Sequence, residues 1–312
     1  MKTLTNNITN LFGEKGKIWL NNLPEITNKL SEIFNLSDLS AYNNLSYNYL
    51  LKGFQTRENK TKKTKYPIAL KISYEQNMIQ DEINALKHFN GRGCVAIISD
   101  NSEYHALLLE QVIPGTTLKS HYLENIPESI DNSMDYYADI INDIKDLPLP
   151  KKHNFRHIKN WLGAIDKIKI TNSDNKDKIP EYLLDKAIDL KNHLLNSTDK
   201  DLVLHGDLHQ DNILKNKNKY IAIDPKGIIG EIGFEAAKFD FIQECELDNL
   251  NNIPDIYKQR ISLLADKLNF DYKRLSEWVF VRMILGAAWF IEDNCDPSKS
   301  LIMAENVYKI LD

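Results

Sequence analysis

A chain of 312 residues, 42% of them hydrophobic, is long enough to bury a sizeable core and to form two domains. Its net charge of −5 argues against a general nucleic-acid footprint. Its three scattered cysteines, Cys94, Cys245 and Cys295, argue against a disulfide framework or a zinc ribbon and read as small core residues of a reducing compartment. No apolar run approaches the roughly 18 residues of a membrane span. The start Met1-Lys2-Thr3-Leu4-Thr5-Asn6-Asn7 lacks an apolar signal stretch, so the expected location is the cytoplasm, with no membrane partner.

Apolar residues at Ile18, Leu20, Leu23, Ile26, Leu30, Ile33 and Phe34 recur at helical spacing and predict a first helix over 18–34. Strand-like pieces follow at 48–54, 68–73, 96–99 and 106–111, interrupted by one helix over about 78–88. The basic run from Arg57 to Lys65 lies between two of these strands and reads as a solvated hairpin tip. From Thr116 onward the pattern is mostly helical, with loops at Pro148-Leu149-Pro150 and at Asn172-Ser173-Asp174-Asn175-Lys176. A late helix, Trp278 to Asp293, shows one apolar face made of Trp278, Phe280 or Val281, Ile284, Leu285, Ala288 and Trp289.

The chemistry concentrates in His205-Gly206-Asp207-Leu208-His209-Gln210-Asp211-Asn212 and in Asp224. Leu202-Val203-Leu204 leads into this stretch, and Gly206 permits a turn that a side chain would hinder. Ile213-Leu214-Lys215 and Tyr220-Ile221-Ala222-Ile223 read as strands joined by the polar turn Asn216-Lys217-Asn218-Lys219, which returns Asp224 to the level of Asn212. An Asp at the reacting hydroxyl, an Asn five positions later and an Asp ending a nearby strand form the set that phosphoryl transfer from a nucleotide requires. Asn212 and Asp224 supply oxygen ligands of the kind magnesium takes alongside phosphate and water. A zinc reading of His205 and His209 is weak, because a His-x-x-x-His pair is informative mainly on a helix.

His-Gly-Asp-Leu-His-x-x-Asn at 205–212, followed by Ile-Asp-Pro-Lys-Gly at 223–227, resembles the aminoglycoside phosphotransferase superfamily, and most closely its streptomycin/hydroxyurea phosphotransferase branch. Further matching pieces are Phe12-Gly13-Glu14-Lys15-Gly16 with Trp19-Leu20 and Leu23-Pro24, Ile68-Ala69-Leu70-Lys71, Glu82 with Ala85-Leu86, and Gly91-Arg92-Gly93. Leu107-Leu108-Leu109-Glu110 with Pro114-Gly115-Thr116 completes the series, so the resemblance spans nearly the whole chain. It implies an α+β, two-lobed protein-kinase-like fold. A small antiparallel-sheet lobe with a helix would occupy 1–112, and a larger, mainly helical lobe with the catalytic loop would occupy 113–312.

The roles that follow are those of a kinase. Asp207 is the expected catalytic base, Asn212 and Asp224 the magnesium ligands, and Lys71, aimed by Glu82, the phosphate contact. The segment ending in Glu110 and Val112 would present backbone groups to the adenine edge, which leaves ATP against GTP open. Between the first two strands a protein kinase carries a glycine-rich loop, whereas this chain has Asn43-Asn44-Leu45-Ser46-Tyr47-Asn48, so Ser46 stands as a candidate phosphate donor without glycine's freedom. Gly206 replaces the arginine that receives an activation-loop phosphate in protein kinases, so regulation of that kind is not expected. Lys226 is singled out by the resemblance as a balance for developing phosphate charge. Glu231, Glu235, Glu292, Asp293 and Asp296 are the candidate carboxylates for a cationic acceptor.

The expected activity is transfer of the γ-phosphoryl group of ATP, with Mg2+, to a hydroxyl of an aminoglycoside-like small molecule, streptomycin among the candidates. A metabolite alcohol as acceptor and a nucleotide-binding pseudokinase module are the alternatives. A monomer is the default oligomeric state.

Overall fold

The computed structural model describes residues 1–58, 62–170, 179–249 and 251–311. Contacts divide the chain into two compact units, Met1–Pro114 and a second from Gly115 onward, two residues beyond the expected boundary.

The first unit is built on a five-stranded antiparallel sheet in the order β1-β2-β3-β5-β4. Its strands are β1 (Leu36–Ala41), β2 (Asn48–Glu58), β3 (Lys63–Ser73), β4 (Ile97–Asn101) and β5 (Ala106–Glu110). Helix α2 (Gln76–Phe89) follows β3. Its buried residues Ile79, Glu82, Ile83, Leu86 and Phe89 fall three and four apart, so one carboxylate rides on an otherwise apolar face. The core is Leu23, Leu30, Phe34, Leu51, Ile68, Leu70, Ile72, Ala106 and Leu108. Each such side chain fully withdrawn from water contributes about 1.5–3 kcal/mol before the cost of ordering it.

Two expectations change here. Helix α1 runs over Lys2–Phe34 rather than starting near residue 18, and non-helical dihedrals at Gly13 (φ 57°, ψ −132°) break it into two segments. The early segment is amphipathic only through Leu4 and Ile8, too few apolar residues to raise a periodic signal. Strand β1 was not anticipated, because Leu-Ser-Asp-Leu-Ser-Ala is polar at every second or third position and no residue in it is fully buried. It is an edge strand with a register irregularity between Ser37 and Ser40. Residues 59–61 of the basic run and the loop 172–176 lie outside the described residues.

The second unit is mainly helical. After β6 (Pro114–Thr117) come α3 (Leu118–Glu124), α4 (Ser129–Lys145), the short β7 (Arg156–His157), α5 (Ile158–Ile170) and α6 (Glu181–Asn196). Beyond the catalytic region lie α7 (Ile232–Ala236), α8 (Ile253–Leu268), α9 (Tyr272–Glu292) and α10 (Ser298–Tyr308). Two three-stranded sheets interrupt the helices. One has the order β10-β9-β6, with β9 (Ile213–Asn216) and β10 (Lys219–Ala222), and the other the order β7-β11-β8, with β8 (Leu202–Leu204) and β11 (Ile228–Gly230).

Helix α9 departs from the expected single apolar face. Leu275, Trp278, Val279, Phe280, Val281, Ile284, Leu285, Ala287, Ala288 and Ile291 are all buried, because α5, α6, α7, α8 and α10 pack around it. It is the spine of this unit. No described helix is long and apolar enough to cross a membrane.

Candidate active site

In the first unit, β3 places Lys71 opposite Leu50 of β2 and Leu107 of β5, in the middle of the sheet. Its Nζ donates to Glu82 Oε2 of α2 at 2.7 Å, and both side chains are almost wholly buried. Two withdrawn charges at this distance hold each other's orientation, and removing either costs the buried survivor its 2.7 Å ion-pair partner. At the end of β5 the Glu110 N–H donates to Ala96 O (3.1 Å) and the Gln111 N–H to Pro67 O (3.3 Å), which fixes the path of the backbone toward Val112. Ser46 sits in the exposed loop between β1 and β2, its carbonyl accepting a hydrogen bond from Asn7 Nδ2 at 3.1 Å.

In the second unit the catalytic stretch is knotted around His205. Strand β8 delivers the chain, Gly206 turns it at φ 86°, and one turn of 3-10 helix (Gln210–Asn212) leads into β9. The β9–β10 hairpin pairs Ile213 with Ala222, and the Ile223 N–H donates to Asn212 O at 2.9 Å. Asp224 is thereby held just beyond Asn212, with a left-handed φ of 60° that a non-glycine residue adopts only where its surroundings demand it.

His205 closes the knot from behind. Its Nε2 bonds Ile223 O at 2.8 Å, its Nδ1 accepts the Asp207 N–H at 3.3 Å, and its carbonyl accepts the Lys226 N–H at 2.7 Å. This pattern fits a neutral ring with the proton on Nε2. Burial pushes the His205 pKa down to about 4, against the pull of the Ile223 carbonyl. Between the ordinary value near 6.5 and that lower one, the unfolded chain binds a proton that the folded chain does not. Stability therefore rises with pH across this window and is lost on acidification, by about 3 kcal/mol at full extent. Urea midpoints should fall between about pH 7 and pH 4 in the wild type, with a shallower slope in His205→Gln, and equal slopes in the two proteins would remove His205 as the cause.

Asp207 is half-buried. Burial alone would raise its pKa, but His209, Lys238, Lys226 and His205 together hold it below the ordinary carboxylate value. It is an anion at neutral pH. Asn212 Nδ2 donates to Asp207 O at 3.0 Å and, more loosely, to Oδ2 at 3.4 Å. That orientation turns the amide oxygen away from Asp207, the atom a divalent cation takes. Among the described residues no three His, Cys, Asp or Glu side chains converge on a metal position.

The other sequence-singled residues separate. Lys226 Nζ lies 3.9 Å from Asp207 Oδ2, beside the candidate base. Glu231 and Glu235 are corrected as acceptor carboxylates, because both are buried and committed to the protein itself. Glu231 takes Arg274 in a bidentate pair (Nε 2.6 Å, Nη2 2.7 Å), with Trp278 Nε1 at 3.0 Å and Thr198 Oγ1 at 3.1 Å. Glu235 is fully buried and accepts the Gly206 N–H at 2.8 Å, and burial raises its pKa. It shapes the catalytic loop. Glu292 and Asp293 are exposed at the end of α9, with Glu292 3.6 Å from Lys167 Nζ, and Asp296 caps the start of α10 through Ser298.

A set of buried polar side chains that carries no motif in the sequence braces the loop from behind. Gln210 is fully buried and accepts from Gln243 Nε2 at 2.7 Å, whose N–H meets Glu246 Oε2 (2.7 Å). Glu246 in turn holds Arg260 (2.8 Å), which reaches Tyr122 (2.8 Å), so the middle of the catalytic loop is anchored to α8 and α3. Lys238 and Asp240 also act on the loop. Burial lowers the Lys238 pKa and raises that of Asp240, while each interacts with the Asp207–His209 pair. Their only sequence signal is proximity to Asp224, which has no fixed spacing to exploit.

Residues 59–294 match the model of the aminoglycoside/hydroxyurea antibiotic resistance kinase family. A streptomycin 6-kinase of Streptomyces glaucescens is 24% identical over 284 residues, covering 90% of this chain and 87% of that protein. Among solved structures, a choline kinase from Streptococcus pneumoniae superposes with a TM-score of 0.59 at 14% identity, over 93% of this chain and 99% of the other. A ternary complex of streptomycin, ATP and APH(2″)-IIa gives 0.56 at 8% identity, over 91% and 97%. The fold is therefore protein-kinase-like.

Proposed function

Because the chain belongs to the aminoglycoside/hydroxyurea antibiotic resistance kinase family, we propose that it transfers the γ-phosphoryl group of ATP to a hydroxyl of an aminoglycoside-like cation, with streptomycin the first acceptor to test. Membership makes the protein a small-molecule phosphotransferase acting on a hydroxyl group. The phosphoryl-transfer part of this reading is supported above all by the knot in which Asn212 bonds Asp207 while His205 ties Asp207 to the Ile223–Asp224 segment, and the choice of acceptor rests on the streptomycin kinases this chain is similar to.

In this reading Asp207 aligns the acceptor hydroxyl and takes its proton as the bond to phosphorus forms. Asp207 is already ionised at neutral pH, so no preceding deprotonation limits the reaction. Lys71, aimed by Glu82, steadies the nucleotide phosphates, and Lys226 offsets charge developing on the group in transfer. Asn212 and Asp224 would hold magnesium, which when bound screens the phosphate oxygens.

A metabolite alcohol as acceptor is the second reading, and the burial of Glu231 and Glu235 favours it, since a polycation loses two of its expected carboxylates. A pseudokinase is disfavoured by the complete set of Lys71, Asp207, Asn212 and Asp224. Purified protein with Mg–ATP and an acceptor panel separates the three. Streptomycin-dependent ADP release, with protection of a sensitive bacterium on expression, is the expected result. Turnover confined to non-cationic alcohols selects the second reading, and no turnover with any acceptor selects the third.

A further inference from the structure

We propose that residues 2–12 of α1 form a latch that presets the glycine-free loop between β1 and β2, with Asn7 as its positioning residue. The proposal rests on the kinase reading, in which that loop covers the nucleotide phosphates.

Of residues 43–47, only Leu45 is buried, while Asn43, Asn44, Ser46 and Tyr47 are exposed. Leu45 packs in one cluster with Leu4 and Ile8 of the latch. Asn7 lies on the same helical face as Leu4 and Ile8, and its Nδ2 donates to Ser46 O at 3.1 Å. The loop is thus pinned at two adjacent positions, one apolar and one polar, and its remaining side chains are left outward.

The latch is itself held on two sides. After the break at Gly13 the second segment of α1 packs back so closely that a Cβ on Gly16 would stand 2.6 Å from Ile8 O, where no side chain fits. The Phe12 ring packs, tilted by 33°, with its centroid 4.2 Å from that of Tyr74, one residue beyond the strand that carries Lys71. Loop and lysine strand are therefore tied to the same short helix.

A backbone that wraps a phosphate usually relies on glycine, and the ligand then bears the cost of ordering it. Here the order is built in before the ligand arrives, which lowers the entropy lost on binding. The latch supplies by packing what the sequence lacks in glycine.

The test is Mg–ATP affinity by calorimetry, with steady-state KM and kcat, for wild type, Asn7→Ala, Asn7→Asp, Asn7→Gln and Gly16→Ala. Loss of the one hydrogen bond should raise Kd and KM for ATP roughly two- to tenfold in Asn7→Ala and Asn7→Asp, with kcat, acceptor KM and the circular dichroism melting profile unchanged. Asn7→Gln, which keeps an amide donor, should recover part of that loss. Gly16→Ala should raise both constants by displacing the latch, and if it fails to fold the Asn7 series decides alone. Wild-type affinity in both Asn7→Ala and Asn7→Asp would overturn the latch while leaving the kinase reading intact. A wild-type chain that binds no Mg–ATP would overturn the kinase reading, and the latch with it.

Discussion

Asp207→Asn is expected to lower turnover by about 100- to 10,000-fold while leaving Mg–ATP binding largely intact. The substitution is nearly isosteric, and Asn212 still finds the main-chain oxygen of residue 207 at its 3.0 Å contact. What disappears is the anion that His209, Lys238 and Lys226 hold in its charged form, and with it the proposed proton acceptor. Asp224→Ala should behave oppositely, weakening nucleotide binding in a magnesium-dependent way, because in the proposed mechanism Asp224 is a magnesium ligand and not the base. Initial rates and calorimetric titrations of both variants, with and without magnesium, distinguish these losses. Turnover by Asp207→Asn within tenfold of wild type would assign the base elsewhere.

Glu231→Ala should cost about 3–5 kcal/mol of stability, the largest effect expected at any residue first singled out for substrate. Its carboxylate is the shared acceptor for Arg274, Trp278 Nε1 and Thr198, linking β11 and α7 to α6 and α9. Without it, the half-buried Arg274 loses its bidentate carboxylate and keeps only the weaker pull of Glu277 and Asp199, and the fully buried Trp278 loses the partner of its indole N–H. For a chain of this size the loss lowers the melting temperature by roughly 10 °C. Arg274→Leu combined with Glu231→Leu should cost less than the two singles added together, since the pair is then removed whole. A stable Glu231→Ala variant with a raised acceptor KM would return Glu231 to the substrate site.

The elements with regular patterns were legible in the sequence. β2, β3, β5, α2 and the β9–β10 hairpin lie within about five residues of their expected bounds, because β2 and α2 bury apolar side chains at regular spacing and β3, β5 and β10 bury short unbroken runs. Lys71 and Glu82 were legible as a pair because a strand end and a helix face present them eleven residues apart. β1 and the early part of α1 were not, since one is an edge strand without a fully buried residue and the other hides only Leu4, Ile8 and Gly16 before Leu23.

The ordering of the candidate catalytic groups from Asp207 to Asp224 is a local property, written into eighteen consecutive residues by a turn, a hairpin and an apolar lead-in strand. Local sequence also carries the family, because the motif's spacing is its chemistry. The fates of the carboxylates were decided by tertiary packing alone. Glu231 meets Arg274 and Glu235 meets the Gly206 N–H only after segments 29 to 43 residues away close over them, and burial then commits both to the scaffold. Charge on a side chain is visible in a sequence, but whether water or protein surrounds it depends on partners the chain supplies from a distance.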